Sequence, residues 1–268
     1  MVGIIQPQRI SGTREWSAVS ANCCKGCEHN CAYCYARWEA VNKWQTLPNE
    51  ADWTKMVVNW NAVNKKWKKY DGAIMFPTTH DIMPSVLEPC LTTIGHILEA
   101  GNKILIVSKP HLECIKAICQ RLEPAKDRIL FRFTIGAIND ALFSYWEPNA
   151  PKFPERLECL KYAYYAGFQT SVSAEPMLDR ANMVALVGIA EGYITDSIWI
   201  GKMNAIGKRV KVVTQEDREQ VQRIIEGQTD KQILNLYQSL KNNPKVKWKE
   251  SIKQVVGLPL ATEAGLDR

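Results

Sequence analysis

Residues 26–37 read "GCEHNCAYCYAR" and bring Cys27, Cys31 and Cys34 within eight positions of the chain. Thiolates this close in sequence can be held by one tight loop around a single metal centre. Three thiolates are one ligand short of a closed tetrahedral zinc site, whereas a catalytic metal centre keeps one position open. The spacing therefore predicts a metal centre with a free coordination position, and it predicts these three cysteines as the ligands.

Other interpretations of this stretch stay open. Cys24 and Cys27 form one Cys-x-x-Cys pair, and Cys31 and Cys34 form a second, so a zinc knuckle could use all four thiolates. The gap between the pairs is shorter than the usual zinc spacing. A ferredoxin-like electron carrier also has closely spaced cysteines, but it needs a fourth ligand. The cysteines could also be structural.

Composition limits the class of protein. The chain has 268 residues, 46% of them hydrophobic, which suits one large α/β domain more simply than two small ones. No window reaches the apolar length of a membrane span, and the N-terminal residues show no cleavage pattern, so a soluble, non-secreted protein is expected. The number of cysteines is odd, and five of them crowd into residues 23–34. A reducing cytoplasm and a metal centre fit this usage better than disulfides.

Six short β-rich runs recur along the chain, each followed by a helical pattern. The helix-type spacing is clear in Leu87, Leu91, Ile94 and Leu98. Repeated βα units predict a parallel sheet with right-handed crossovers, with chemistry at the carboxyl ends of the strands. The predicted strands are 17–22, 72–76, 103–108, 129–134, 169–174 and 197–201.

We therefore expect an α/β fold, a partial TIM-like (βα)6 barrel with parallel strands and a helical C-terminal tail. A flat doubly wound sheet is the alternative. From residue 214 onward the pattern is purely helical. The expected organisation is a core over 1–213 and a helical C-terminal extension over 214–268 that packs on this core, within a single domain overall.

The motif Cys27-x-x-x-Cys31-x-x-Cys34 resembles the cluster motif of radical S-adenosylmethionine (radical SAM) enzymes. The whole stretch "GCEHNCAYCYAR" resembles the version in the spore photoproduct lyase-like branch. Further stretches match strand ends of that branch in the same order, so the resemblance covers residues 20–178. These stretches are "FPTTHDIMPSVLE", "ILIVSKPH", "FTIGAIND" and "WEPNAPKFPERLECLKYAYYAG".

This resemblance implies a mechanism. The three cysteines would hold three irons of a 4Fe-4S cluster, and the open fourth iron would chelate S-adenosylmethionine. Reductive cleavage of the sulfonium would then release a 5'-deoxyadenosyl radical that abstracts hydrogen from a substrate. An external electron donor such as flavodoxin or ferredoxin is implied as a partner. The rival hypothesis is a metal-binding interaction module with a structural zinc or Fe-S site.

The resemblance also implies seven side chains around the bound S-adenosylmethionine. Tyr33 and Tyr35 would border the adenosine and the cluster, or they could merely pack beside the cysteines. Thr79 and Asp81 would lie near the amino group, although Asp81 could instead be a helix N-cap. The full set is Tyr33, Tyr35, Thr79, Asp81, Lys109, Thr134 and Glu175.

The remaining members of the set follow later strands. Lys109 would pair with the methionyl carboxylate, or it could be an exposed loop lysine. Thr134 and Glu175 would contact the ribose or the amino group. Glu147 and Arg156 are expected to form an ion pair that organises a loop, without a chemical role.

The other cysteines lie outside the motif. Cys23 and Cys24 depart from the pattern of the branch, and we expect them to be buried thiols. The rest lie in helical patterns, where a free cysteine behaves as a small hydrophobe. They are Cys90, Cys114, Cys119 and Cys159.

Two features of the sequence bear on the substrate. One is a cysteine of the spore photoproduct lyase pattern that is missing here, and the other is a cluster of lysines. Spore photoproduct lyase itself uses a cysteine at the end of its second strand to return a hydrogen to the substrate radical, but "MFPTTHD" contains none. Repair in that form is therefore not expected. Nucleic acid is still among the substrates that the resemblance implies, and the net charge of +6 is compatible with it.

Residues 51–72 are expected to form a helix that carries a possible contact for phosphates. Its apolar stripe would pack against the sheet. Four lysines at its C-terminal end would contact a nucleic acid or nucleotide, or they could be solvated cations that are favourable to the helix dipole. The stripe is Trp53, Met56, Val57, Trp60, Val63 and Trp67, and the lysines are Lys65, Lys66, Lys68 and Lys69.

Overall fold

Strands and helices alternate along most of the chain. The computed structural model describes residues 10–266. The strands are β1 Val19–Ser20, β2 Cys24–Lys25, β3 Val57–Val58, β4 Ala73–Phe76, β5 Lys103–Ser108, β6 Ile129–Thr134, β7 Gln169–Ala174, β8 Ile198–Ile200 and β9 Val246–Trp248. The helices are α1 Tyr35–Asn42, α2 Trp60–Val63, α3 Leu87–Glu99, α4 Leu112–Arg121, α5 Asp140–Trp146, α6 Phe153–Tyr165, α7 Met183–Ala190, α8 Ile206–Arg209, α9 Gln215–Gly227, α10 Asp230–Leu240 and α11 Glu250–Val256.

Seven strands form one parallel sheet in the order β1-β4-β5-β6-β7-β8-β9. At least one helix connects each strand from β4 onward to the next, as a parallel pair requires. The central strands β5, β6 and β7 are almost wholly buried because helices cover the sheet, although β7 contains Thr170, Ser171 and Ser173. All six predicted strands are present, and the predicted α/β fold with a parallel sheet is confirmed.

The sheet is curved. Trp16 precedes β1 at one end of the strand order, and Trp199 lies on β8 near the other end, yet their ring centres are 5.7 Å apart. Five strand spacings would separate these positions by about 24 Å in a flat sheet. Lys249, next to β9, likewise reaches Glu15 on the segment before β1 at 2.8 Å. The sheet therefore curls until its two ends meet, as expected for a partial barrel.

The C-terminal region differs from the sequence-based expectation in one element. Val246–Trp248 is a strand, β9, and it pairs with β8 in parallel. The prediction of a purely helical tail after residue 214 is wrong at these three residues. β9 is too short to show an alternating pattern, and only its pairing with β8 reveals it. The flanking helices α9, α10 and α11 agree with the prediction.

The helix expected over residues 51–72 is also wrong. Its β-branched Val57 and Val58 form a strand antiparallel to β2, and a helix of only four residues, α2, follows. The lysine-rich segment after α2 is a loop at the amino end of β4. Asn102, at the amino end of β5, holds this loop by accepting a bond from the backbone N–H of Tyr70 and donating to the carbonyl of Lys68.

The predicted crossover helix after β4 is confirmed. α3 buries Leu91, Ile94 and Leu98 against the sheet, with Leu87 partly buried at its start. Within residues 10–266, no helix combines the length and apolar character needed to cross a membrane.

Candidate cofactor site

A cavity of about 690 Å³ opens at the carboxyl ends of the parallel strands. This is the edge of a parallel α/β sheet where chemistry is expected. Every side chain predicted for the site lines this one cavity. The set comprises Cys27, Cys31, Cys34, Tyr33, Tyr35, Thr79, Asp81, Lys109, Thr134 and Glu175.

The cysteine loop is fixed by its backbone. Gly26 has a φ of +84°, and a Cβ at this position would lie 2.5 Å from the carbonyl oxygen of Lys55. Only glycine suits such a conformation and such a close approach. The next residue, Cys27, donates its N–H to the carbonyl of Trp53 at 2.8 Å. The β2–β3 pair and the segment of Trp53 therefore hold the start of the loop.

The end of the loop is held by a helix. Cys34 is the N-cap of α1, and its sulfur accepts the backbone N–H of Arg37 at 3.4 Å. The Arg37 guanidinium also donates to Asn30 at 2.8 Å and to the carbonyl of Ala32 at 3.0 Å. One arginine thus connects the turn between the second and third cysteines with α1.

The electrostatics of the thiols fit a metal centre. Burial raises the pKa of Cys27 well above its ordinary value, and the negative charge of Asp81 adds to this shift. Burial also raises the pKa of Cys31 to about 12. These thiols therefore need a strong positive partner to act as thiolates, and a bound metal supplies one.

The spacing of the three sulfur atoms distinguishes between metals. The sulfurs of Cys27, Cys31 and Cys34 do not all lie within 4.8 Å of one another. A single tetrahedral zinc would hold ligand sulfurs roughly 3.8 Å apart, given Zn–S bonds of about 2.3 Å. A multi-iron cluster binds each thiolate to a different iron and keeps the sulfurs farther apart. The three sulfurs are therefore not arranged around a single zinc ion in this structure.

The two tyrosines of the motif are anchored by their hydroxyl groups. Tyr33 donates to the buried carboxylate of Glu147, which in turn pairs with Arg156. Tyr35 donates to the carbonyl of Thr78 at the end of β4. Both rings line the cavity, and these bonds hold them in position. The expected Glu147–Arg156 ion pair is present.

Asp81 is the centre of a buried network. Its carboxylate accepts the backbone N–H groups of Ile82 at 2.8 Å and of Lys109 at 3.0 Å, and the hydroxyl of Ser108 also donates to it. His29 Nδ1 lies 3.2 Å from its Oδ2. Asp81 does not cap a helix N-terminus, so that alternative is wrong. Although burial alone would raise the pKa of Asp81, the nearby positive charge of His29 holds it below its ordinary value.

Thr79 lies beside this network with its backbone held in place. Asn22, at the end of β1, accepts the backbone N–H groups of Thr78 and Thr79, each at 2.8 Å, and donates to the Thr78 hydroxyl. Within the described part of the chain, the Thr79 hydroxyl itself makes no hydrogen bond. It is therefore available to a ligand in the cavity.

Lys109 is a cation directed into the cavity. It follows β5 and lies with Nζ 5.9 Å from the ring centre of Tyr33. No carboxylate oxygen of residues 10–266 lies within 4.0 Å of Nζ. Burial alone would lower its pKa, but the negative charges of Cys31, Glu147 and Asp81 raise it above the ordinary value. Lys109 is therefore a charged, partly buried group without an ion-pair partner, and the exposed-loop alternative is wrong.

Thr134 and Glu175 are placed at the cavity by the ends of β6 and β7. The carbonyl of Thr134 accepts a bond from the buried guanidinium of Arg156 at 2.9 Å. The carboxylate of Glu175 lies 3.2 Å from Nζ of Lys249, which also pairs with Glu15. Glu175 thus has a cation partner before any ligand binds.

Several residues of the site were not identified from the sequence. Asn22, Ser108 and Lys249 act through contacts with chain segments far away in sequence, and no local pattern marks them. His29 was visible within the quoted motif. Its burial against Asp81 and its Nε2–Nε2 distance of 2.9 Å to His111 appear only in the folded chain.

The mouth of the cavity carries three further cations, Arg14, Lys202 and Arg209. Two carboxylates of the same lining already have partners, since Glu39 lies 3.6 Å from Lys43 and Glu175 is paired with Lys249. Asp81 and Glu250 also line the cavity, so among the described residues its four cations, which include Lys109, are matched by four carboxylates. The four lysines of residues 65–69 lie elsewhere, at the amino ends of the strands, and they do not line the cavity.

Comparison with known proteins identifies the fold. No family model matches the chain. A protein of Acidianus two-tailed virus, described as uncharacterized protein ORF301, is 27% identical over 164 residues, which are 57% of this chain. The match spans 53%, or about half, of that viral protein.

Two solved structures are similar over most of the chain. Spore photoproduct lyase complexed with dinucleoside spore photoproduct has a TM-score of 0.56 and 12% identity, covering 91% of this chain and 79% of its own. A mutant of that lyase with bound AdoMet and dinucleoside spore photoproduct has a TM-score of 0.52 and 13% identity, covering 86% and 75%. The chain therefore has the fold of spore photoproduct lyase.

Proposed function

We propose that this protein is a radical SAM enzyme. The observation that carries the proposal is the convergence of the three motif cysteines and all seven residues expected around S-adenosylmethionine on one cavity. These ten residues come from five different strand-to-helix connections of the sheet. A structural metal site would not need a cavity of this size beside it.

Cys27, Cys31 and Cys34 would hold a 4Fe-4S cluster, with S-adenosylmethionine as the second cofactor. When bound, this pair supplies a 5'-deoxyadenosyl radical that abstracts hydrogen from a substrate. An external donor such as flavodoxin or ferredoxin would supply the electron, and a reducing compartment such as the cytoplasm suits the free thiols.

The chain's own residues would bind and orient the second cofactor. Lys109 offers a charged ammonium that lacks a partner, and this suits the methionyl carboxylate. The free hydroxyl of Thr79 suits the amino group of the same ligand. Tyr35, fixed by its bond to Thr78, would border the adenosine. Asp81 would mainly position these groups, because its carboxylate already accepts several protein donors.

The substrate that we propose is a nucleotide or nucleic acid. Arg14, Lys202 and Arg209 at the mouth of the cavity provide positive charge that suits phosphate groups. The two solved structures above hold a dinucleoside spore photoproduct, which supports the same class of substrate. Among the described residues, the cavity is lined by no cysteine except the three of the motif. Hydrogen return from a thiol is therefore not part of the proposal.

Substitution of the cysteines tests the cluster. We expect Cys27→Ala, Cys31→Ala and Cys34→Ala each to prevent stable assembly, because each thiolate would bind a different iron. The measurement is the iron and sulfide content per chain after anaerobic reconstitution, together with reductive cleavage of S-adenosylmethionine.

The matched control is Cys119→Ala, which removes a buried thiol on α4 that does not line the cavity. This variant should keep the iron and the cleavage activity. A wild-type protein that binds no iron, or a Cys31→Ala variant that keeps the full iron content, would contradict the proposal.

A further inference from the structure

A second group of metal-ligating side chains lies outside the cysteine motif. Cys23 and Cys24 lie between β1 and the cysteine loop, His80 follows β4, and Cys90 lies in the first turn of α3. All four are buried, with exposed fractions of 0%, 4%, 7% and 0%. Neither the motif nor the proposed radical chemistry uses them.

The distances within this group fit a single metal ion. Cys23 Sγ lies 3.7 Å from the sulfurs of Cys24 and Cys90 and 3.8 Å from Nε2 of His80. The ligand atoms of Cys23, Cys24 and His80 all lie within 4.8 Å of one another. A tetrahedral zinc with bonds of about 2.3 Å to sulfur and about 2.0 Å to nitrogen separates its ligand atoms by roughly 3.5–3.8 Å. The distances from Cys23 match the edges of such a tetrahedron. Cys90 does not lie within 4.8 Å of all three other ligand atoms, so its side chain would move closer to them when zinc binds.

The histidine is oriented as a metal ligand would be. Nδ1 of His80 lies 2.9 Å from the carbonyl oxygen of Asp81, which can only accept, so the proton is on Nδ1. Nε2 then carries the lone pair, which accepts the backbone N–H of Cys23 at 3.0 Å, and Nε2 lies 3.8 Å from the Cys23 sulfur. A histidine that ligates a metal commonly donates its other N–H to a carbonyl in this way.

We propose that Cys23, Cys24, Cys90 and His80 bind one zinc ion. Three thiolates and one imidazole are a common ligand set of closed, structural zinc sites. In the structure, Nε2 of His80 accepts the backbone N–H of Cys23 at 3.0 Å, and this bond is exchanged for the bond to zinc. Since all four ligand positions are filled by protein, the site is structural.

The zinc site is distinct from the proposed cluster site. Cys23, Cys24 and Cys90 belong to the main hydrophobic core of the sheet. Cys27 packs in a different apolar cluster with Trp53 and Ala36, and Cys34 is packed against it. Cys24 and Cys27 are only three residues apart, but their side chains enter different parts of the molecule.

The zinc ion would stabilise the part of the cavity wall that is formed by the loop after β4. It joins the end of β1, the loop that follows β4 and the start of α3. The loop that follows β4 carries Thr79 and Asp81, both on the cavity wall. Metal binding would therefore fix the positions of Thr79 and Asp81 on the cavity wall.

Elemental analysis separates the two metals. Wild-type protein purified with zinc present should carry about one zinc ion per chain in addition to its iron. Cys90→Ser and Cys24→Ser should lose the zinc, whereas Cys27→Ala should lose iron and keep zinc. The control Cys119→Ser, a buried helical thiol outside both groups, should keep both metals.

X-ray absorption at the zinc edge gives a second measurement that needs only wild-type protein. We expect three sulfur ligands at about 2.3 Å and one nitrogen at about 2.0 Å. Zinc far below one equivalent in the wild type would overturn the proposal. The proposal would also be overturned if the zinc content falls in Cys27→Ala and is unchanged in Cys90→Ser. Loss of iron alone bears on the radical SAM function and leaves the zinc site standing, so the two failures are distinguishable.

Discussion

At the scale of single residues, Lys109 is the side chain whose surroundings most clearly call for a ligand. Its ammonium lies in the cavity wall without an ion-pair partner in the described part of the chain. A partly buried cation left unpaired carries a desolvation cost that a bound carboxylate relieves. This residue therefore gives the sharpest test of the proposed cofactor contacts.

We expect Lys109→Ala to weaken S-adenosylmethionine binding about tenfold or more, equivalent to roughly 1.4 kcal/mol. The iron content should not change, because Lys109 is not a metal ligand. Titration of reconstituted protein measures the affinity, and Lys103→Ala is the control, since Lys103 lies exposed at the opposite end of β5. Because the pKa of Lys109 is raised, wild-type affinity should persist to about pH 9. If wild type and Lys109→Ala bind S-adenosylmethionine with equal affinity, the proposed ion pair between Lys109 and the methionyl carboxylate is wrong.

The sequence predicted the residues that line the cavity better than the residues that hold them in place. The cysteines and the strand-end residues carry a local signal, since they lie in a motif or directly after an apolar run. Asn22 and Ser108 carry none, because each is identified only by a partner more than 25 residues away. The Cys23–Cys90 contact spans 67 positions and was equally invisible.

At the scale of elements, the C-terminal region shows how a chain segment joins a core. β9 extends the sheet, and α10 buries Ile233 and Leu236 completely in the main hydrophobic core. The amphipathic pattern of α10 was readable from sequence, but β9 has three residues and gains its conformation from β8. We propose that residues 214–268 fold with the rest of the chain and not as a unit of their own.

Leucine substitutions in α10 test this integration. Leu236→Ala should lower the free energy of unfolding by about 2–5 kcal/mol, because it leaves a cavity in the main core. Leu234→Ala on the same helix removes a side chain that is 42% exposed, and it should change stability by only about 0.5 kcal/mol. Urea denaturation followed by circular dichroism and tryptophan fluorescence measures both.

Coincident transitions by the two probes are expected for wild type and both variants. Eight of the nine tryptophans lie before residue 214. A transition by circular dichroism in Leu236→Ala that precedes most of the fluorescence change would therefore show that the C-terminal region unfolds alone.

At the scale of the whole molecule, charge is distributed between the two ends of the sheet. The cations of the cavity mouth lie at the carboxyl ends of the strands. The lysine loop lies at the amino ends, where Lys69 donates to the carbonyl of Gly101 and Lys65 lies 4.1 Å from the ring centre of Trp67. The sequence showed the lysine cluster clearly, but its position relative to the cavity depends on the topology of the sheet.

This separation gives a matched pair of variants for substrate binding. Neutralising Arg14, Lys202 and Arg209 with glutamine should weaken binding of a short single-stranded oligonucleotide. It should also flatten the plot of log affinity against log salt by about 0.7 per lost phosphate contact. The quadruple glutamine variant of Lys65, Lys66, Lys68 and Lys69 should leave the slope nearly unchanged. Fluorescence anisotropy across salt concentrations measures both.

If the quadruple lysine variant instead loses more affinity and salt dependence than the triple variant, the phosphate contacts lie on the lysine loop. Absence of binding by the wild-type protein at low salt would exclude a nucleic-acid substrate and would leave the cofactor site unaffected.

The meeting of the two sheet ends has a consequence for access. Trp16, stacked under Lys249 at 3.8 Å, and the Glu15–Lys249 pair join these ends through side chains, and no backbone ladder connects β1 with β9 in residues 10–266. A barrel closed by a continuous ladder admits ligands only through its open end. Here the closure depends on side-chain contacts, so the two ends of the sheet can separate without the loss of any strand pairing.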